Sequence, residues 1–213
     1  MIERAHGLIL RLRPFTETSL IVQWLTRDAG RISTVGKGAR RPKSPFIGKL
    51  DLFYEADFSF VRSRKSELHT LREVSLRQTH SKLREDLSRL NAAAYCAVLL
   101  EQGTERETPI PEFYALAADT LQFLDQSTPT TAFVFSLELK FLALSGMLPS
   151  FEGISSEITT TAENLIEIAF LDASRVALSK PVNAQLSSLL RRGVGVTLEK
   201  LPSQRERLLQ GIL

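Results

Sequence analysis

Apolar positions alternate along the chain up to about residue 77 and recur every three to four residues from Ser81 onward. In the first part, Leu8, Leu10 and Leu12 alternate with Ile9, Arg11 and Arg13, and Leu20, Val22 and Trp24 alternate with Ile21, Gln23 and Leu25. After the turn signal Asp28-Ala29-Gly30, Arg31 to Val35 reads as a third short strand. Leu52, Tyr54, Ala56, Phe58 and Phe60 share one face of a fourth strand. A polar turn over Arg62-Ser63-Arg64-Lys65-Ser66 leads into a fifth, Leu68 to Leu76. Five short strands separated by turns predict a small barrel, of which the OB-like form is the usual five-stranded solution.

From Ser81, Leu83, Leu87, Leu90, Ala94 and Ala97 form a helical stripe. Pro109 and Pro111 open a second helix carrying Phe113, Leu116, Ala117, Thr120, Leu121 and Leu124 on one face. A third, roughly Thr131 to Ser145, is apolar nearly all round; its only charges are Glu138 and Lys140, and Gly146 and Pro149 end it. Such a helix belongs at the centre of a bundle. Further helical patterns cover Ala162 to Leu171, Asn183 to Arg192 and Ser203 to Leu209. The fold class is therefore α+β, with a five-stranded OB-like barrel over 1–79 and an all-α domain over 80–213.

Charge sharpens this division. Residues 1–80 hold 15 Lys and Arg against 8 Asp and Glu, while the remainder holds 12 against 16. From Ala29 to Leu50 there is no acidic residue, and Arg31, Lys37, Arg40, Arg41, Lys43 and Lys49 are all basic. Gly36-Lys37-Gly38-Ala39-Arg40-Arg41-Pro42-Lys43-Ser44-Pro45 reads as a mobile basic arm between two strands. Its glycines allow close backbone approach and its prolines hold what precedes and follows them extended. An arm of this kind suits a phosphate backbone, although a merely solvated charged loop would have the same composition. Arg62, Arg64 and Lys65, in a basic turn at a strand end, could border the same groove. Among the aromatic residues, Trp24, Tyr54, Phe58 and Phe60 line up with core positions, which leaves Phe46 and Phe53 as candidates for stacking on bases.

Catalytic signatures are missing. Gly36-Lys37-Gly38 lacks the spacing and the Ser/Thr of a phosphate-binding loop, and neither G-x-S-x-G nor H-E-x-x-H occurs. Glu85-Asp86 is accounted for by a helix first turn. His6, His69 and His80 are dispersed, and Cys96 is the only cysteine, which excludes an internal disulfide and a cysteine-based zinc cluster. These readings argue against an enzyme and against any cofactor. A lone cysteine, no signal-like leader and no uninterrupted apolar run of spanning length point to a reducing, cytoplasmic setting away from membranes.

The order of several segments resembles the RecO family of bacterial recombination mediators: Gly7-Leu8-Ile9-Leu10, Thr16-Glu17-Thr18-Ser19-Leu20-Ile21-Val22, Leu25 to Gly30, and Lys37-Gly38-Ala39-Arg40-Arg41-Pro42-Lys43-Ser44. Leu83 to Leu87, Ala92 to Tyr95 and Phe135 to Leu142, with its exit Gly146-Met147-Leu148-Pro149, continue it into the helical part. The resemblance implies an OB domain followed by a helical domain. It also implies binding of single- and double-stranded DNA, annealing of complementary strands and help in loading the recombinase, in a nucleoid-associated setting. Its partners would be RecR and the acidic tail of single-strand-binding protein. By motif match, Lys37, Arg40, Arg41 and Lys43 take the DNA-binding role. Lys140, the one cation of its helix, is the candidate contact for the acidic tail. Where many members carry a four-cysteine zinc loop, this chain reads Ser150-Phe151-Glu152-Gly153-Ile154, so zinc is not expected. An RNA-binding OB protein and a protein-interaction adaptor are the competing readings.

Overall fold

The computed structural model describes residues 1–212 and divides into two compact units, Met1–His80 with Thr104–Ala115, and Ser81–Gly103 with the chain from Leu116 onward.

In the first unit, β1 (Ile2–Pro14), β2 (Leu20–Thr26), β3 (Gly30–Gly36), β4 (Glu55–Val61) and β5 (Leu68–Gln78) close into a barrel in the order β1-β2-β3-β5-β4. Every neighbouring pair is antiparallel except β3 with β5. This is the predicted OB-like barrel. Its core gathers Ile9, Val22, Trp24, Ile32, Phe58, Phe60, Leu71 and Val74. Trp24 stands opposite Ile9 on one neighbouring strand and Ile32 on the other, and its ring stacks on Phe58 with centroids 3.9 Å apart. The indole N–H is satisfied inside the barrel by the Thr34 hydroxyl at 2.9 Å.

Two details depart from the alternation read in the sequence. A bulge between Ile9 and Arg11 changes which residues of β1 face inward, so that Ala5 and Ile9 are followed by Leu12. Leu8 and Leu10 are buried outside that core cluster. The fourth strand starts at Glu55, not Leu52, because Asp51–Tyr54 form a turn in which Phe53 adopts φ +65°. Leu52 is thereby left on the surface while Phe53 is buried.

Residues 104–115 pack with the barrel. Glu107 donates its N–H to the Arg31 carbonyl at 3.0 Å, and Gly30 has φ +66° with the Thr108 carbonyl so close that a Cβ would lie 1.9 Å from its oxygen. Only glycine fits there.

The second unit opens with a short 3-10 turn, Ser81–Arg84, that buries Leu83. Helix α1 (Leu87–Gly103) begins only after it. The Glu85-Asp86 pair lies before α1 and not in its first turn: Asp86 caps the helix by accepting from the Ser88 N–H at 2.7 Å, Glu85 pairs with Lys82 at 2.9 Å, and Leu87, expected in the apolar stripe, is exposed. Helix α2 spans Pro111–Gln126, its first residues belonging with the barrel unit. Helix α3 (Thr131–Leu144), capped by the Thr130 hydroxyl, is buried continuously from Ala132 to Leu139, as its composition predicts. Helices α4 (Ser156–Glu167), α5 (Phe170–Ala173), α6 (Lys180–Thr197) and α7 (Ser203–Ile212) complete the unit. The single pattern read over Ala162 to Leu171 is thus shared by two helices, α4 and α5.

Glu138 of α3 is fully buried, and Arg205 of α7 reaches it with two nitrogens at 2.7 and 3.1 Å. The Tyr95 hydroxyl of α1 donates to the same carboxylate at 2.7 Å, and Arg205 also donates to the Ser187 carbonyl of α6. The Glu138 carboxylate therefore joins α1, α3 and α7, and Arg205 extends the link to α6. Among the described residues, no helix is long and apolar enough to cross a membrane.

Candidate nucleic-acid interface

The basic segment after β3 is not an extended arm. Ala39 donates to the Gly36 carbonyl, Arg41 to Gly38, Ser44 to Arg41, Ile47 to Ser44 and Lys49 to Phe46, a run of consecutive turns. Two anchors fix it to the barrel. The Arg40 N–H donates to the Thr18 carbonyl at 2.9 Å, in the turn between β1 and β2, and the Arg40 guanidinium reaches the Thr16 carbonyl at 3.4 Å. Farther on, the Phe46 ring joins the core cluster of the barrel. Pro42 and Pro45 thus shape turns here, a role proline's fixed φ serves as well as extension.

The segment presents its charge outward. Lys37, Arg40, Arg41 and Lys43 are exposed, and none pairs with a carboxylate among the described residues. Gly38 (φ +69°) makes the turn, and the Arg41 side chain lies over it, its Cδ 3.5 Å from where a Cβ would be. Arg40 is bonded to the β1–β2 turn, Lys37 and Arg41 line a cleft with Thr16 and Thr18 of that turn, and Lys43 follows in the same run of turns.

The other predicted basic residues differ in their freedom. Arg62 is held by Glu3, with Nε–Oε1 at 2.9 Å, and by Glu107 at 2.5 Å, and its guanidinium stands 5.7 Å from the Phe60 centroid. The hydrogen bond to Glu3, offset in part by burial, raises the Arg62 pKa above its already high value. Arg64 and Lys65 are exposed in the turn after β4. Arg31, counted with the arm in the sequence, is removed from the surface: it is 7% exposed, and its guanidinium donates to the Thr104 hydroxyl at 2.8 Å and to the Thr104 carbonyl.

The stacking candidates fail. Phe46 and Phe53 are 6% and 3% exposed, the first filling the barrel core and the second turned inward by its left-handed backbone. Phe15, absent from the sequence reading, is the one exposed side chain among the Phe, Trp and Tyr of the described residues, at 53%. The signal for it was faint: a ring directly after Pro14 and ahead of the polar Thr16-Glu17-Thr18 turn.

In the helical unit, Lys140 lines a cleft of about 330 Å³ with Leu116, Asp119, Phe123 and Phe170. Its ammonium donates to the Ile166 carbonyl and stands 5.7 Å from the Phe170 centroid. Burial lowers its pKa, and the neighbouring Glu167 and Asp119 charges oppose that shift only in part. Cys96 is buried, and desolvation pushes its thiol up to about 12, so it is no nucleophile at neutral pH.

Comparison with known proteins accords with this architecture. The family model described as recombination protein O, N terminal, matches residues 1–80, and that described as recombination protein O, C terminal, matches residues 84–211. The chain is 31% identical to DNA repair protein RecO of Bacillus subtilis (strain 168) over 149 residues, covering 70% of this chain and 58% of the relative. It is 33% identical to the protein of the same name from Rhodopirellula baltica over 144 residues, covering 68% and 53%. The chain thus spans less than two thirds of the length of the curated relatives it matches. With matches to both parts of the family's models in sequence order, the chain belongs to the recombination protein O family, whose members are named DNA repair proteins.

Proposed function

We propose that the chain binds single- and double-stranded DNA through Lys37, Arg40, Arg41 and Lys43. In recombinational repair it would act as a mediator without catalytic chemistry, annealing complementary strands and assisting recombinase loading. The observation that carries this reading is the set of four exposed cations, free of carboxylate partners, on a run of turns that Arg40 anchors to the β1–β2 turn of an OB-like barrel. Phosphate neutralisation by such cations releases condensed counterions, a driving force that needs no base contact. Arg64 and Lys65 extend the basic path, and Arg62 contributes what its two carboxylate partners leave. The test is fluorescence anisotropy with matched single-stranded DNA, duplex DNA and single-stranded RNA over a salt series. Binding that weakens steeply with salt supports the reading, tighter binding of RNA than of DNA moves it to an RNA-binding role, and no binding leaves the adaptor reading.

RecR and the tail of single-strand-binding protein are the protein partners we propose. For the tail, the reading is supported by the Lys140 cleft, where apolar walls from Leu116, Phe123 and Phe170 adjoin one ammonium. An acidic peptide ending in an aromatic residue could seat its ring on those walls and its carboxylate at Lys140. Replacing Lys140 with Glu is expected to reduce the affinity for such a peptide at least tenfold, measured by titration with the variant's helix content checked by circular dichroism. Equal affinity would remove Lys140 from the site.

A further inference from the structure

Phosphate contacts hold a strand without distinguishing paired from unpaired bases, so a protein that works on both forms needs a separate element to tell them apart. Phe15 stands at the lip of a cleft of about 340 Å³ whose lining also includes Thr18, Val35, Lys37, Gly38 and Arg41. Its ring is exposed while its backbone is fixed: Pro14 precedes it, its N–H donates to the Ser19 carbonyl at 2.9 Å, and the Ser19 N–H in turn donates to the Thr16 hydroxyl at 3.1 Å. An isolated exposed phenylalanine needs no explanation by itself. Here it shares a cleft with two exposed cations, Lys37 and Arg41, that have no carboxylate partner. A planar apolar surface beside two phosphate-binding groups is what one nucleotide of a single strand requires.

We propose that Phe15 is a stacking platform for an unpaired base, with Lys37 and Arg41 holding the phosphates on either side of that nucleotide. This inference rests on the DNA-binding reading above and adds the feature that distinguishes single strands. In a duplex the base faces are covered by their neighbours, so the ring gains nothing and only the cations act. On a single strand, the ring contributes the affinity that one base–aromatic stack supplies, roughly 5- to 150-fold.

The experiment compares three probes, an oligothymidine strand, an abasic strand of equal length and a duplex, on the wild type, Phe15→Ala and Phe15→Trp. The wild type is expected to prefer oligothymidine to the abasic strand by that factor. Phe15→Ala should lose the preference while keeping its duplex affinity and its salt dependence, and Phe15→Trp should retain the preference. The new indole of Phe15→Trp should be quenched by oligothymidine and not by the abasic strand, against a constant background from the buried Trp24. Circular dichroism verifies that both variants are folded, which an exposed ring makes the expected result. A Phe15→Ala protein that still prefers oligothymidine overturns the inference, as does a wild type that binds both strands equally, and either leaves the phosphate-binding reading standing. A wild type that binds none of the three probes overturns both.

Discussion

Replacing Lys37, Arg40, Arg41 and Lys43 together with alanine is expected to lower single-strand affinity several-hundred-fold at about 0.1 M salt, and to flatten the dependence of log K on log salt by about 3 units. The magnitude follows from counterion release, in which each phosphate neutralised on a single strand contributes about −0.7 to the slope. Four lost contacts then account for both the change in slope and the change in affinity, because the same released ions set both. The fold should survive. All four side chains are exposed, and the anchor that Arg40 makes to Thr18 is through its backbone N–H, which alanine retains. The buried Phe46 and the turn-forming Gly38 are untouched. A slope equal to that of the wild type would remove this segment from the DNA site. Loss of affinity without a change in slope would mean that its cations act by shaping the loop and not by touching phosphate.

The architecture was legible because two periods meet near residue 80, and each follows from simple geometry: alternate burial in a strand and a stripe every three to four residues on a helix. What was not legible was decided by local irregularity or by partners distant in sequence. The bulge after Ile9 inverts the facing of β1, and no alternation can reveal a position where alternation itself slips. Phe53 was assigned to the polar face because a regular strand was assumed through Leu52; the turn at Asp51–Tyr54 instead buries it. Arg31 reads as one more cation of the basic segment, yet it is satisfied by Thr104, 73 positions away. The packing of residues 104–115 against Gly30 and Arg31 has no sequence signature beyond the glycine. The basic cluster itself was visible as composition. Its attachment at Thr18, which sets the cations beside Phe15, was not.

Glu138→Ala is expected to destabilise the helical unit by about 3–5 kcal/mol, the usual cost of removing one partner of a buried ion pair. The carboxylate is inaccessible to water and accepts from both Arg205 and Tyr95. Its loss leaves a guanidinium, itself only 2% exposed, with no carboxylate beside it and only neutral groups, among them the Ser187 carbonyl, to accept from it. Burial disfavours the charged form of Arg205, and the attraction of Glu138 more than offsets that, raising its pKa. In the Tyr95 hydroxyl, burial and then the Glu138 charge both act to raise the pKa well above its ordinary value, so Tyr95 remains a neutral donor throughout the working pH range. Removing both charges is a different matter. Glu138→Leu combined with Arg205→Met replaces the pair with apolar volume and should cost far less than the sum of the two single changes, since each single change orphans a buried charge and the double change leaves none. Chemical denaturation of the two single variants and the double variant, followed by far-ultraviolet circular dichroism, measures this coupling. Strict additivity would show that the pair is not a coupled unit. A loss below about 1 kcal/mol for Glu138→Ala would show that Arg205 finds water when its partner is removed. The result also bears on function, because α3 presents Lys140 two residues after Glu138. Weakened attachment of α3 to its neighbours should reduce the proposed peptide capture at the Lys140 cleft while the proposed DNA binding, which rests on residues of the other compact unit, is retained.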